Sequence, residues 1–137
     1  MHLTTFTDYG VRAMMRLAGE PERLFTIEEI STELDVSRNH LTKIIHNLAK
    51  GGYIRTLRGK GGGFRLAKDP AQVTLGEIVR WLEPDTAIVE CFRKDGGNCT
   101  LSAQCRFKGR LLAAKKAFLH ELDQATLKEC AIPTHVF

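Results

Sequence analysis

Apolar residues recur at helical spacing over five stretches of the chain, and one β-prone stretch interrupts the series after the third. Phe6, Val11, Met14, Met15 and Ala18 fall on one side of a first helix over about residues 6–18. Ile27, Ile30 and Leu34 do the same for a second, over residues 27–34. Leu41, Ile44, Ile45 and Leu48 mark the inner side of a third, over residues 38–49, with Ser37 as its N-cap and Gly51-Gly52 as its stop. Thr5/Asp8, Thr26/Glu29 and Thr74/Glu77 each set an acid three residues after a Thr, the sequence form of a capping box. A fourth helix is predicted over residues 75–82, ending at Glu83-Pro84. The fifth starts at Ala103 or Arg106 and runs to Lys128, with Phe107, Leu111, Phe118, Leu122 and Ala125 as its stripe, widened by Leu112 and Leu119. At 1.5 Å per residue it is roughly 33 Å long. Between the third and fourth helices, two short strands (residues 53–57 and 64–66) flank Arg58-Gly59-Lys60-Gly61-Gly62-Gly63, a glycine-rich hairpin tip.

Helix–turn–helix followed by a basic hairpin predicts a mainly α fold, a winged helix–turn–helix with a small β-hairpin wing and a long C-terminal dimerisation helix. One small winged domain cannot cover so long a helix, so the fifth helix is expected to pack on its copy in a second subunit, with a cap on the first helix of its own chain as the alternative. A two-fold dimer suits a palindromic operator. The charge pattern agrees with a DNA reader. The chain has 137 residues and a net charge of +4, which alone decides little. Residues 36–68 carry eight Lys/Arg and no acid, whereas residues 20–35 carry six acids and one Arg. An unopposed positive field is the footprint expected for phosphates, although a solvated basic surface would look the same. On the third helix Ser37, Arg38, Asn39, His40, Lys43 and Asn47 face away from the core, and Arg and Asn can bond guanine and adenine edges in the major groove. Arg58 and Lys60 at the wing tip are placed for phosphates or a minor groove.

The stretch from Asp85 to Ser102 has little periodicity, and loops of that length usually serve a function. Cys91, Cys99 and Cys105 give C-x7-C-x5-C across it and into the start of the fifth helix. Thiolates are soft ligands for iron–sulfur clusters or zinc. This spacing has neither the paired CxxC knuckles of a zinc ribbon nor the CxxCxxC run of a ferredoxin, and three sulfurs leave one coordination position open. Free thiols or a redox disulfide switch remain the alternatives. Cys130, beyond the helix, is too far along a straight helix to join them without a sharp return of the chain, and reads as a structural or incidental thiol. None of His2, His40, His46, His120 and His135 is next to the cysteines in sequence. No GxSxG, HExxH or Walker loop is present, so an enzyme is not expected. With 43% apolar and 26% charged residues, no membrane-length apolar run and no secretory start, a cytoplasmic protein without a membrane partner is expected.

Five segments carry a resemblance over nearly the whole chain: LTTFTDYGVRAM, VSRNHLTKIIHNLAKGGYI, RGKGGGFRLAK, LGEIVRWLEP and FLHELDQATL. Together they resemble the bacterial winged-helix iron–sulfur regulators, the family that includes NsrR, IscR and RirA, and within it the nitric-oxide-sensing type. The resemblance implies a homodimeric repressor on double-stranded DNA that releases a palindromic operator when nitric oxide reacts with its cluster. It implies a 4Fe-4S cluster, with 2Fe-2S as the alternative, held by Cys91, Cys99 and Cys105 of one subunit and by Asp8 of the other. Iron or redox sensing on the same fold stays open, as does a zinc or thiol-switch DNA-binding protein. The histidine ligand found in the IscR type falls at Lys108, so that ligation is not expected here. The expected division is residues 1–84 as DNA-binding domain, 85–105 as cluster-binding loop and 106–137 as dimerisation helix and tail.

Overall fold

The computed structural model describes residues 2–85, 87–101 and 103–137. The first residue of the predicted DNA-binding domain, Met1, and the predicted loop end, Ser102, lie outside the described residues. The helices are α1 (Thr5–Ala18), α2 (Ile27–Leu34), α3 (Arg38–Lys50), α4 (Leu75–Leu82) and α5 (Arg106–Asp123), with strands β1 (Ile54–Leu57) and β2 (Gly63–Leu66) between α3 and α4. The mainly α winged helix–turn–helix is therefore observed. Its core is the set of apolar positions that share a face. Ala13, Met14 and Leu17 of α1 pack with Ile30 of α2, Leu41, Ile44 and Leu48 of α3, and Ile78 and Leu82 of α4. Each such large side chain stabilises the fold by roughly 1.5–3 kcal/mol when fully buried.

The strands pair antiparallel with Ile54 opposite Leu66 and Leu57 opposite Gly63. A third backbone bridge joins them: Phe25 and Phe64 each donate an N–H to the other's carbonyl at 2.8 Å. This ties the wing to the segment before α2. At the wing tip Gly59 and Gly61 adopt left-handed backbone at φ 95° and 75°, where a side chain would be strained.

The capping pattern holds in part. Thr26 and Glu29 form the full reciprocal box at the start of α2. At α4, Thr74 caps Glu77 N–H, but the Glu77 carboxylate turns to the Tyr53 hydroxyl instead. At α1 the prediction is corrected. The N-cap is Thr4, not Thr5, and Thr4 accepts from Thr7 N–H. Asp8 is one position too far along to bond the cap. Glu83 takes that role from 79 residues away, accepting from Thr4 N–H at 3.1 and 3.3 Å.

The fifth helix is shorter than predicted. It ends at Asp123 after 18 residues, about 27 Å. Beyond it Thr126 and Glu129 bond each other's backbone N–H groups in a tight turn. The chain then doubles back along the start of α4: Leu75 N–H donates to Ala125 at 3.0 Å and Leu127 N–H to Val73 at 2.8 Å. Leu127, completely buried in the core, holds the return. The tail continues to α1, where Ile132 N–H donates to the Met15 carbonyl. The straight-helix distance argument for Cys130 therefore does not apply, since Cys130 sits in this returning segment.

Candidate DNA interface and cysteine loop

The third helix presents the predicted surface. Ser37 is its N-cap, accepting from His40 N–H at 3.2 Å. Arg38, Asn39 and Lys43 are exposed, and Arg38 has only a loose 4.0 Å pairing with Glu28. Arg58 and Lys60 are exposed at the wing tip. Two predicted residues are only half-exposed. His40 is half-buried against α1, 5.5 Å edge-on from the Tyr9 ring and 6.2 Å from Phe6. Asn47 has a buried Oδ1 that finds no hydrogen-bond partner among the described residues.

The structure adds basic and polar candidates. Thr42 and His46 are exposed on α3 at helical spacing from Arg38 and Lys43. Arg55 and Arg65 stand directly opposite each other on the wing. Like charges in that register repel unless an anion lies between them. Arg65 is partly offset by Glu22 at 3.5 Å, while Arg55 is exposed. The alternation of residues across the hairpin could have found this pair once the register was known.

The cysteine loop is folded by its own polar contacts. The Glu90 carboxylate accepts from Asn98 N–H at 2.7 Å, and Asp95 accepts from Gly97 N–H and from Arg93. Cys91 lies in the short turn Glu90–Phe92, and Cys91, Cys99 and Cys105 are all half-buried. Cys105 is the N-cap of α5, its sulfur accepting from Lys108 N–H at 3.4 Å. Asp8 is on α1, 44% exposed, and both of its oxygens bond Arg12, at 3.0 and 2.7 Å.

The donor chemistry fits an iron–sulfur cluster: three half-buried sulfurs within 15 positions, one of them at a helix N-terminus. Among the described residues, no three His, Cys, Asp or Glu side chains are arranged in one chain to hold a metal ion.

The outer side of α5 is uncovered. Phe107 is 65% exposed and Phe118 43%, and no residue of this helix is buried. An open groove of about 860 Å³ lies beside it, lined by Leu3, Val79, Phe118 and Leu119. Among the described residues no helix is long and apolar enough to cross a membrane.

Comparison with known proteins adds a family model, Rrf2, described as an iron-dependent transcriptional regulator, which matches residues 3–131. The HTH-type transcriptional regulator NsrR of Bacillus subtilis (strain 168) is 43% identical over 130 residues, covering 94% of this chain and 89% of that protein. The protein of the same name from Shouchella clausii (strain KSM-K16) is 40% identical over 133 residues, covering 96% and 89%. Among solved structures, T. potens IscR superposes with a TM-score of 0.75 at 27% identity, covering 94% of this chain and 85% of that one. Staphylococcus aureus CymR gives 0.73 at 25% identity, covering 93% and 96%.

Proposed function

Since the chain belongs to the Rrf2 family of DNA-binding transcriptional regulators, and so is no enzyme, we propose that it is a homodimeric repressor that senses nitric oxide through an iron–sulfur cluster, most simply 4Fe-4S. The observation that carries the proposal is the join between a DNA-reading head and a half-buried three-cysteine loop ending at the N-terminus of α5. The high identity to regulators named NsrR, together with the resemblance to the nitric-oxide-sensing type, supports the choice of signal. Residues 1–84 would read a palindromic operator, 85–105 would hold the cluster, and 106–137 would supply the dimer helix and tail.

Cys91, Cys99 and Cys105 would hold the cluster with Asp8 of the partner subunit. When bound, the cluster supplies iron with which nitric oxide reacts. Cys105 would contribute a sulfur that accepts from Lys108 N–H in the first turn of α5. For this chain's Asp8 to serve the other subunit, ligation would compete with its two-pronged bond to Arg12, which engages both oxygens. Asp8 then has one set of contacts with the cluster in place and another without it. Two contact sets of unequal energy are what coupling between a sensing site and a reading helix requires. His40 gives α1 a direct contact with the reading helix, so a shift of α1 is felt at its N-terminal end. The exposed phenylalanines of α5 and the groove beside it support pairing with a second copy.

Anaerobic reconstitution with iron and sulfide tests this reading. The wild-type protein is expected to turn coloured and to carry iron and acid-labile sulfide in equal amounts. Cys99→Ala is expected to carry neither, and Asp8→Ala to fold and dimerise with a more labile cluster. Stoichiometric zinc without sulfide would contradict the proposal. The description of the family as iron-dependent favours a second reading, iron sensing. In that case an iron chelator, not nitric oxide, would release the DNA.

A further inference from the structure

Four consecutive residues at the end of α4, Arg80 to Glu83, contact three different helices. A helix turns about 100° per residue, so four residues point around its whole circumference. Arg80 bonds both oxygens of Asp123, the last residue of α5, at 2.6 and 2.7 Å. The Trp81 indole N–H donates to the Asn47 carbonyl near the C-terminal end of α3 at 3.2 Å. Leu82 lies against Gly10 of α1, where a Cβ would come within 2.5 Å of its methyl. Glu83 caps α1 through Thr4. Pro84 and the cysteine loop follow directly.

Trp81 is the arm of this junction that reaches the reading helix. Trp81 is 45% exposed, so burial alone does not explain its pose. It is fixed by its N–H bond and by Gly51, where a Cβ would come within 2.5 Å of the indole. The Asn47 carbonyl it bonds also accepts from Gly51 N–H at 3.1 Å, at the point where α3 gives way to the wing. Tyr53, 6.1 Å from the indole, anchors the root of the wing to α4 through Glu77. Arg38 lies about 14 Å up α3 from Asn47. A small tilt at Asn47 is therefore magnified at the residues proposed to meet DNA.

We propose that Trp81 is a positioning residue for DNA binding, through which the α4 end of the cysteine loop sets the angle of α3 and the root of the wing. The inference rests on α3 as the reading helix, and the test separates the two. The probes are a short duplex enriched by the wild-type protein from random sequence and a non-specific duplex, poly(dI-dC). Trp81→Phe keeps a ring and removes the N–H donor. It is expected to weaken the enriched duplex about tenfold while leaving poly(dI-dC) binding, the salt slope and the thermal midpoint near wild type. Lys43→Ala is expected to lower the salt slope by about one. Trp81 is the only tryptophan, so its emission reports the junction alone. Glu83→Gln, on the opposite side, is expected to shift that emission without DNA.

A Trp81→Phe protein with wild-type preference for the enriched duplex would overturn the proposal. So would specific and non-specific binding falling together with the thermal midpoint, which marks a merely structural role. An unchanged emission in Glu83→Gln would break the junction. Wild-type DNA binding and salt slope in Lys43→Ala would instead remove α3 as the reader, and the inference with it.

Discussion

Arg16 is the most consequential single side chain outside the proposed sites. It is 0% exposed, yet it is charged. Glu33 accepts from it at 2.7 Å and Glu20 at 3.0 Å, and its guanidinium lies 4.8 Å from the Phe25 ring centre. Removing one partner of a buried ion pair costs about 3–5 kcal/mol, because the other charges stay desolvated. Glu20 and Glu33 retain some water contact, so Arg16→Ala is expected to cost about 3 kcal/mol, read as a lower urea midpoint with an unchanged slope. A loss under 1 kcal/mol would mean that water replaces the guanidinium at little cost. At Gly51 the constraint is space and not backbone angle, since its φ is −77°. Gly51→Ala must push the indole aside. It is expected to cost about 1–3 kcal/mol and to shift Trp81 emission, as measured by thermal melting and fluorescence.

The C-terminal tail is an element that gains its place from α1. Thr134 donates to Glu20, and Arg16 donates to Thr134 at 3.3 Å. The Thr134 hydrogen bond, followed by that from Arg23, holds the Glu20 carboxyl down at about 2, against an ordinary value of 4.5. A depressed carboxylate stabilises the fold fully above 4.5 and loses that contribution as the pH falls toward 2. Urea stability is therefore expected to decline through that window, and less steeply in Glu20→Gln. Equal slopes in both proteins would assign the acid loss elsewhere. The opposite sign holds at Tyr53, where burial and then Glu77 push the hydroxyl up to about 12. Its contribution is complete below about 10 and lost between about 10 and 12.

This element also marks where the sequence stopped being legible. The helices over residues 27–34, 38–49 and 75–82, and the wing, were readable because apolar period and caps agree there. The end of α5 was not, because its apolar pattern continues past Asp123 although the helix stops there and Leu127 turns into the core. The Thr126/Glu129 pair, a Thr with an acid three residues on, was the local sign of that turn. Similarly, Asp8 matched a capping box by spacing, and the actual partner of the cap, Glu83, is distant in sequence. Of the candidate sites, the basic face of α3 and the cysteine positions could be read directly. The tie between His40 and Tyr9 and the Trp81 junction depend on how helices cross, which local pattern does not encode.

At the scale of the whole molecule, the reading head is packed and α5 is not. Phe107, Leu112 and Phe118 are large apolar side chains left toward solvent. Phe118→Glu is expected to shift the protein from dimer to monomer by light scattering and to weaken binding to a palindromic duplex more than to a single half-site. A dimer of unchanged mass would place the interface away from α5. The proposed function requires a dimer in which the cysteine loop and the reading head answer to one signal. The most direct measurement follows visible absorbance and DNA binding together while nitric oxide is added, without oxygen, to the reconstituted protein on its enriched duplex. The cluster absorbance is expected to change, and the duplex to be released, over the same range of nitric oxide. Duplex that stays bound after the absorbance has fully changed would contradict the proposed function.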